Sequence, residues 1–322
     1  MTQETSHEIQ AEEMKKDIAE GGMDREPKVL VAGGRNGREN LNSVEMFSLL
    51  NTTWTPLKPM KECLEKASSV VYNNQMFVTG GVGRIVTKSI KKLSLNAVQV
   101  DQSITWENVL AELPAPLNGH CSVVYNGRLI VIGGFDGSKC AYSDSITEIS
   151  LAPPYTSKLL ATMPQTRYLH GVAMFGDKIL ILGGKLNGFS RTNLASVLLY
   201  DITKNECKQL ASLPYPVYEM ATVKWGDDSV IIVGGADSND QTLNKVLLYN
   251  IKTQKSRMLP DMKYKRQGCV AAVVRDTVIV MGGQDERRKS LKSVECFQFD
   301  RYTWQGLPEM REARYCATAV VC

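Results

Sequence analysis

Hydrophobic residues in this chain fall into short, mostly apolar runs, and six of those runs stop at a pair of glycines. The runs are Val29–Ala32, Met76–Thr79, Leu129–Ile132, Ile179–Leu182, Val230–Val233 and Val278–Met281. A run of four apolar residues between turn signals reads as a strand buried on both faces. The fourth copy shows the pattern best. Gly171–Phe175 and Ile179–Leu182 flank Gly176-Asp177, a dipeptide that tolerates positive φ and closes a tight hairpin. The first glycines stand at 33, 80, 133, 183, 234 and 282, giving successive intervals of 47, 53, 50, 51 and 48 residues. After each glycine pair comes a polar loop and a third apolar segment: 44–47, 90–95, 146–149, 197–200, 246–249 and 294–299. Three units then place Trp54, Trp106 or Trp304 in a fourth segment. The pattern predicts six units of four strands, at the period of a four-stranded propeller blade.

These residues resemble the kelch repeat. The double glycine is followed by an aromatic (Phe47, Tyr200, Tyr249, Phe297) and, about seven residues later, by the Trp. The resemblance covers residues 28–322 and implies an all-β, six-bladed kelch-type β-propeller with four-stranded antiparallel blades. Units three, four and five lack the Trp: S-L-A-P-P-Y-T-S-K-L-L, Cys207 and Ser256 stand near its place. Thinner outer edges are expected there.

The first unit begins at its second strand. Its missing partner is at the other end of the chain, where Arg314–Cys322 aligns with Arg266–Val274. The expectation is a ring closed by pairing of the C-terminal with the N-terminal strand, which removes the free edges of an open array. Residues 1–28 hold eight acidic and four basic side chains, so 1–27 reads as an acidic N-terminal tail. Thr5-x-x-Glu8 followed by Ile9, Met14 and Ile18 leaves a short capped helix open as the alternative.

Composition removes several function classes. The amino terminus has no apolar core of a secretory signal, and no apolar run approaches the length of a membrane helix. Eight cysteines without a C-x-x-C pair read as reduced thiols in a cytoplasmic protein. A net charge of +4 is too small to argue for nucleic acid.

Candidate chemistry sits just before the inner strands. Arg167, Arg266 and Arg314 occupy one repeat position, with Leu64, Leu117 and Val217 at its equivalents. Tyr168, Gln267 and Tyr315 follow the arginines, and the position is expected to gather at the channel mouth. The loops after the glycine pairs, carrying Arg35, Arg38, Lys185, Phe189, Arg191, Arg287, Arg288 and Lys289, are expected on the same face. Arginine forks bind carboxylates, and Arg with Tyr is a composition typical of interface anchors. One reading is therefore a site for an acidic peptide or loop of a protein partner. The other is that these arginines bond within the fold, since arginine here also belongs to the kelch repeat itself.

The resemblance implies a monomeric protein-interaction module, in that family a substrate adaptor for ubiquitin-ligase components or an actin binder. The ligase link depends there on BTB and BACK domains. Only 27 residues precede the first unit, so the expectation is a stand-alone module or a piece of a longer protein. The enzymatic alternative is an epimerase-like or metal-dependent kelch enzyme acting on a small acidic sugar. Against it, His120 and His170 both open inner strands and point to hydrogen-bonded structural roles, and no cofactor motif is present. If ring closure holds, deleting residues 317–322 will lower the melting temperature of the whole domain; an unchanged melting temperature would refute closure.

Overall fold

The computed structural model describes residues 27–95, 105–189 and 191–322. The acidic segment expected over 1–27 lies, but for Pro27, outside them. No helix is present among the described residues, so none is long and apolar enough to cross a membrane. They form six four-stranded antiparallel sheets and one small three-stranded sheet. From the inside outward, the fourth large sheet runs Gly171–Phe175, Lys178–Leu182, Val197–Asp201 and Glu206–Leu210. The other five have the same order. In the first, the innermost strand is Thr318–Val321, paired antiparallel with the N-terminal strand Lys28–Ala32 in the register Val29↔Val321 to Ala32↔Thr318.

Hairpin registers follow from the turn residues. Phe175 pairs with Lys178 across Gly176-Asp177, with Gly176 at φ 61°. Asn73-Asn74 and Asn126-Gly127 close the equivalent hairpins of the second and third sheets with both residues at positive φ. Asn and Gly adopt that geometry at least cost, and it matches the twist of the strands.

The continuous apolar runs are explained by sheets packed face to face. In Lys28–Ala32, Leu30 and Ala32 pack with Met76 and Val78 of the second sheet, while Val29 and Val31 pack with Ile279 and Met281 of the sixth. Four further clusters join the second sheet to the third, third to fourth, fourth to fifth and fifth to sixth. Each second strand is therefore buried on both sides, and each large side chain so buried contributes about 1.5–3 kcal/mol.

The paired glycines connect neighbouring sheets. The N–H of the second glycine donates to a carbonyl of the next sheet: Gly34 to Leu64, Gly81 to Leu117, Gly134 to Arg167, Gly184 to Val217, Gly235 to Arg266 and Gly283 to Arg314, at 2.7–2.8 Å. The first glycine lies against that same oxygen. A Cβ at Gly183 would sit 2.4 Å from Val217 O, and the other five first glycines are equally tight, at 2.3–2.5 Å. Both members of each pair hold positive φ. Glycine is required here because a side chain would occupy the space of the incoming carbonyl.

At the outer rim, Trp54 Nε1 donates to Pro308 O, Trp106 Nε1 to Lys58 O and Trp304 Nε1 to Pro260 O, tying each outer strand to the segment linking it to the sheet before. The rims expected to be thinner keep complete fourth strands and make this tie by other means. Tyr155 packs into the core between the second and third sheets. Asn205 Nδ2 donates to Leu160 O, and Gln254 Oε1 accepts from Ala211 N. A polar side chain that reaches a neighbouring backbone group replaces the indole N–H.

Gly183→Ala and Gly176→Ala separate conformational strain from collision, because φ is 55° and 61° while only the second site has open space around the added methyl. Gly176→Ala is expected to cost about 1 kcal/mol, and Gly183→Ala several-fold more, measured by denaturant unfolding. Equal losses would remove the inter-sheet contact as the reason for the glycine.

Candidate functional site

The three arginines proposed to grip a partner are turned inward. Arg167, Arg266 and Arg314 have exposures of 1%, 0% and 1%. Arg167 Nη1 donates to Gly183 O at 2.7 Å and Ser196 O at 3.0 Å, and Nη2 donates to Ser196 Oγ. Arg266 makes the same contacts to Gly282 and Ser293, as does Arg314 to Gly33 and Ser43. Each guanidinium thus holds the carbonyl of its own sheet's first glycine, which shares a peptide group with the N–H that makes the inter-sheet contact. Arg266 and Arg314 also pair with the buried carboxylates of Glu295 and Glu45, at 2.7 and 2.8 Å. Arg167 has Leu198 at the equivalent strand position and, among the described residues, no carboxylate partner and an Nε without a hydrogen bond. Burial lowers its pKa to about 10. The sequence reading of a guanidinium at the channel mouth is corrected by these bonds: a side chain with no exposed surface has none to offer a partner.

The residues that reach the mouth lie one and two positions later. Tyr168, Tyr315 and Gln267 are half-buried there and bridge backbone to backbone with Lys185, Arg35 and Gln284 of the post-glycine loops. Two positions after each arginine or its equivalent stand Lys66, Gly119, Leu169, Glu219, Gly268 and Cys316. Lys66 N–H donates to Cys316 O, Cys316 to Gly268, Gly268 to Glu219, Glu219 to Leu169, Leu169 to Gly119, and Gly119 back to Lys66, all at 2.7–3.0 Å. All six residues hold φ between 51° and 59°. For the four with side chains, this left-handed geometry costs about 1–2 kcal/mol each. It persists because it turns every N–H toward the neighbouring sheet's carbonyl.

This position was missed from sequence. Its signal was an alignment column reading Lys, Gly, Leu, Glu, Gly, Cys, where two glycines among six mark a backbone that favours positive φ.

Two tyrosines span the glycines of this ring. The Tyr168 ring covers Gly119, where a Cβ would approach Tyr168 Cε2 to 2.3 Å, and the Tyr315 ring covers Gly268, at 2.4 Å. Beyond those glycines, Lys66 Nζ donates to Tyr168 OH at 3.1 Å, and Tyr315 OH donates to Glu219, 2.7 Å from each carboxylate oxygen. Burial raises the pKa of the Glu219 carboxyl, against the favourable influence of Lys66. All six ring residues line a cavity of about 350 Å³ that runs between the innermost strands.

His120 and His170 also line that cavity, and both are buried. His120 Nε2 meets Thr79 Oγ1 at 2.9 Å, whereas neither nitrogen of His170 has a hydrogen-bond partner among the described residues. The expected hydrogen-bonded role therefore holds in part for His120 and not for His170. Burial lowers their pKa values to about 4 and about 3, so both are neutral near pH 7. No group of three metal-binding side chains converges among the described residues, and all eight cysteines are free.

Outside the ring, the loops carry the exposed cations. Arg35, Arg38 and Arg287 are exposed, and Phe189 is 77% exposed. Three loop aspartates are turned back on the chain, whereas Glu39 and Glu286 are exposed. Asp285 Oδ1 accepts from Arg287 N and Lys289 N, Asp237 Oδ1 from Asn239 N and Gln241 N, and Asp136 Oδ1 from Ser138 N. Tyr168 joins Phe135 and Tyr142 in an edge-on aromatic cluster on this face.

A family model described as the KLHDC2/KLHL20/DRC7 Kelch-repeats domain matches residues 91–262, and a kelch motif model matches 26–61 and 265–311. Kelch-like protein 15 of Homo sapiens is 26% identical over 199 residues, covering 56% of this chain and 32% of that protein. Beta-scruin of Limulus polyphemus is 23% identical over 209 residues, covering 62% of this chain and 22% of that protein. Among these relatives is also tRNA wybutosine-synthesizing protein 4 of Candida albicans, 27% identical over 180 residues, 54% of this chain and 24% of that protein. The match spans about a third or less of the length of each of these curated relatives. The solved structure of YjhT superposes with a TM-score of 0.69 at 14% identity, covering 86% of this chain and 96% of that one, which shows the fold alone.

Replacing Arg314 by Met removes the cation paired with the buried Glu45 carboxylate, leaving it, among the described residues, only the backbone N–H groups of Arg311 and Glu312, and is expected to cost about 3–5 kcal/mol. Arg167→Met strands no carboxylate and is expected to cost about 1–3 kcal/mol. Chemical unfolding of both variants checks the order; a larger loss at Arg167 would refute the difference in partners.

Proposed function

The chain belongs to the kelch-repeat family, and from that premise we propose that residues 28–322 form one six-bladed propeller, closed by its terminal strands, that serves as a cytoplasmic protein-interaction module. Its docking surface is the face carrying the post-glycine loops and the channel mouth, and its partner presents an acidic segment. The observation that carries this reading is the loop geometry. Asp136, Asp237 and Asp285 accept backbone N–H groups of their own loops, while Arg35, Arg38 and Arg287 stand exposed and, among the described residues, outside any ion pair. The loops therefore present guanidinium groups outward and turn these carboxylates inward. Exposed arginine forks donate bidentately to partner carboxylates, and Phe189 with Tyr168 adds apolar contact.

The buried Arg167, Arg266 and Arg314 contribute by fixing the backbone from which the loops rise. Gln267 and Tyr315 contribute at the inner margin of the surface. Substrate recognition for a ubiquitin ligase and actin binding are the two adaptor roles this surface suits. They differ in whether the captured partner is turned over in cells or is filamentous.

The triple variant Arg35→Glu, Arg38→Glu, Arg287→Glu is expected to fold with an unchanged melting temperature, since all three side chains are exposed. It should lose at least about tenfold in affinity for acidic peptides captured by the wild type. Proximity labelling in cells followed by fluorescence polarisation with the recovered acidic segments, against charge-neutral versions, reads this directly. A folded triple variant that keeps the wild-type partners removes this face from consideration.

A further inference from the structure

Lys66 and Glu219 lie three steps apart in either direction around the six-residue ring, so they face each other across the mouth. Each is held from two blades away by a tyrosine that crosses a glycine: Tyr168 over Gly119 to Lys66, and Tyr315 over Gly268 to Glu219. The mouth therefore has an approximate two-fold arrangement of backbone and tyrosines, with a cation on one side and an anion on the other.

Neither charge has an ion-pair partner in contact among the described residues, although each is hydrogen-bonded to a tyrosine and the two act on each other across the mouth. Among the described residues neither Lys66 nor Glu219 is in an ion pair; their hydrogen bonds to charged or polar side chains are those to the two tyrosines and a long contact, 4.0 Å, from Cys316 Sγ to Glu219. An ammonium has three donors and a carboxylate about four acceptor sites, so each group has capacity left. Glu219 is only 8% exposed. Other charged groups near it are Glu65, which is buried, and Lys185, which is engaged by Asp240 and lies 4.2 Å over the Tyr218 ring. A buried charge without a partner is costly unless something completes it.

Both charged groups line the same cavity of about 350 Å³, together with the hydroxyl residues Ser68, Ser122, Thr222 and Thr318. That is a size at which small-molecule sites begin, and the hydroxyls are groups of the kind that orient a polar ligand. We propose that the channel mouth binds a small zwitterion, of the amino-acid class, whose carboxylate meets Lys66 and whose ammonium meets Glu219. This site rests on different charges from the docking surface, although the two meet at the mouth, where Tyr168 and Tyr315 border both: Lys66 and Glu219 belong to the ring, and the loop arginines take no part in it.

The test is a ligand series on the purified chain, read by isothermal titration calorimetry and thermal shift. Glycine, γ-aminobutyrate and 6-aminohexanoate vary the separation of the two charges, and hexanoate and hexylamine carry one charge each. At least one zwitterion is expected to bind and raise the melting temperature, with neither single-charge compound doing so at the same concentration. Lys66→Glu or Glu219→Lys alone is expected to weaken that binding at least about tenfold, and the double exchange to restore it, since the mouth then presents the same two charges in reverse. Should the exchanges fail to fold, Lys66→Met and Glu219→Gln keep side-chain shape and are expected to lose binding likewise. Failure of every zwitterion to bind, equal binding of hexanoate or hexylamine, or undiminished affinity in folded single variants would each overturn the proposal. Because the loop arginines are untouched, failure here leaves the acidic-partner reading standing, and the reverse.

Discussion

One contact recurs between every pair of neighbouring sheets: a backbone carbonyl seated on a pair of glycines. The second glycine supplies the N–H, and the first supplies the empty volume in which the oxygen lies, 2.3–2.5 Å from where a Cβ would be. Interlocking side chains cover most of the sheet faces, but they are mutually adaptable mixtures of Val, Ile, Leu and Met. The glycine contact is not adaptable. It sets how close the inner ends of two sheets come and where the next inner strand starts.

The buried arginines follow from that contact. Where Arg167, Arg266 or Arg314 is present, its guanidinium clasps the first glycine's carbonyl and the serine just before the third strand, fixing the glycine turn from behind. The same backbone segment then passes through the left-handed ring residue two positions on. Four ring positions accept a side chain in that conformation, and their N–H groups make the hydrogen bonds that run around the channel. Strain in each residue is offset by a bond to the neighbouring sheet. Lys66 and Glu219 stand at the mouth because the backbone places them there, held by hydroxyls rather than by each other.

Charge on the loop face has a comparable origin. Short polar loops need their N–H groups capped, and Asp and Asn side chains do this at Asp136, Asp237, Asp285 and Asn36. A carboxylate so used points into its loop. Arginines have no acceptor for this purpose and extend into solvent. At these loops the capping aspartates turn inward while Arg35, Arg38 and Arg287 stay exposed, beside the exposed Glu39 and Glu286.

Much of the scaffold was legible in one dimension. Strand runs, hairpin turns and the six glycine pairs are local signals, because alternation, turn chemistry and repeat spacing depend on residues close in the chain. The alignment of Arg314–Cys322 with Arg266–Val274 pointed to the pairing of the two termini. The direction of a side chain was not legible. An arginine before a strand reads the same whether it faces a partner or folds back on a carbonyl sixteen residues later, and only the position of Gly183 O relative to Arg167 settles it. The mouth was further out of reach. Lys66, Tyr168, Glu219 and Tyr315 come from four different sheets, and their meeting depends on sheet-to-sheet rotation, set by packing across all the interfaces together. Sequence determined the blades and their glycine contacts; the tertiary structure alone decided which charges face the channel and which stay inside the wall.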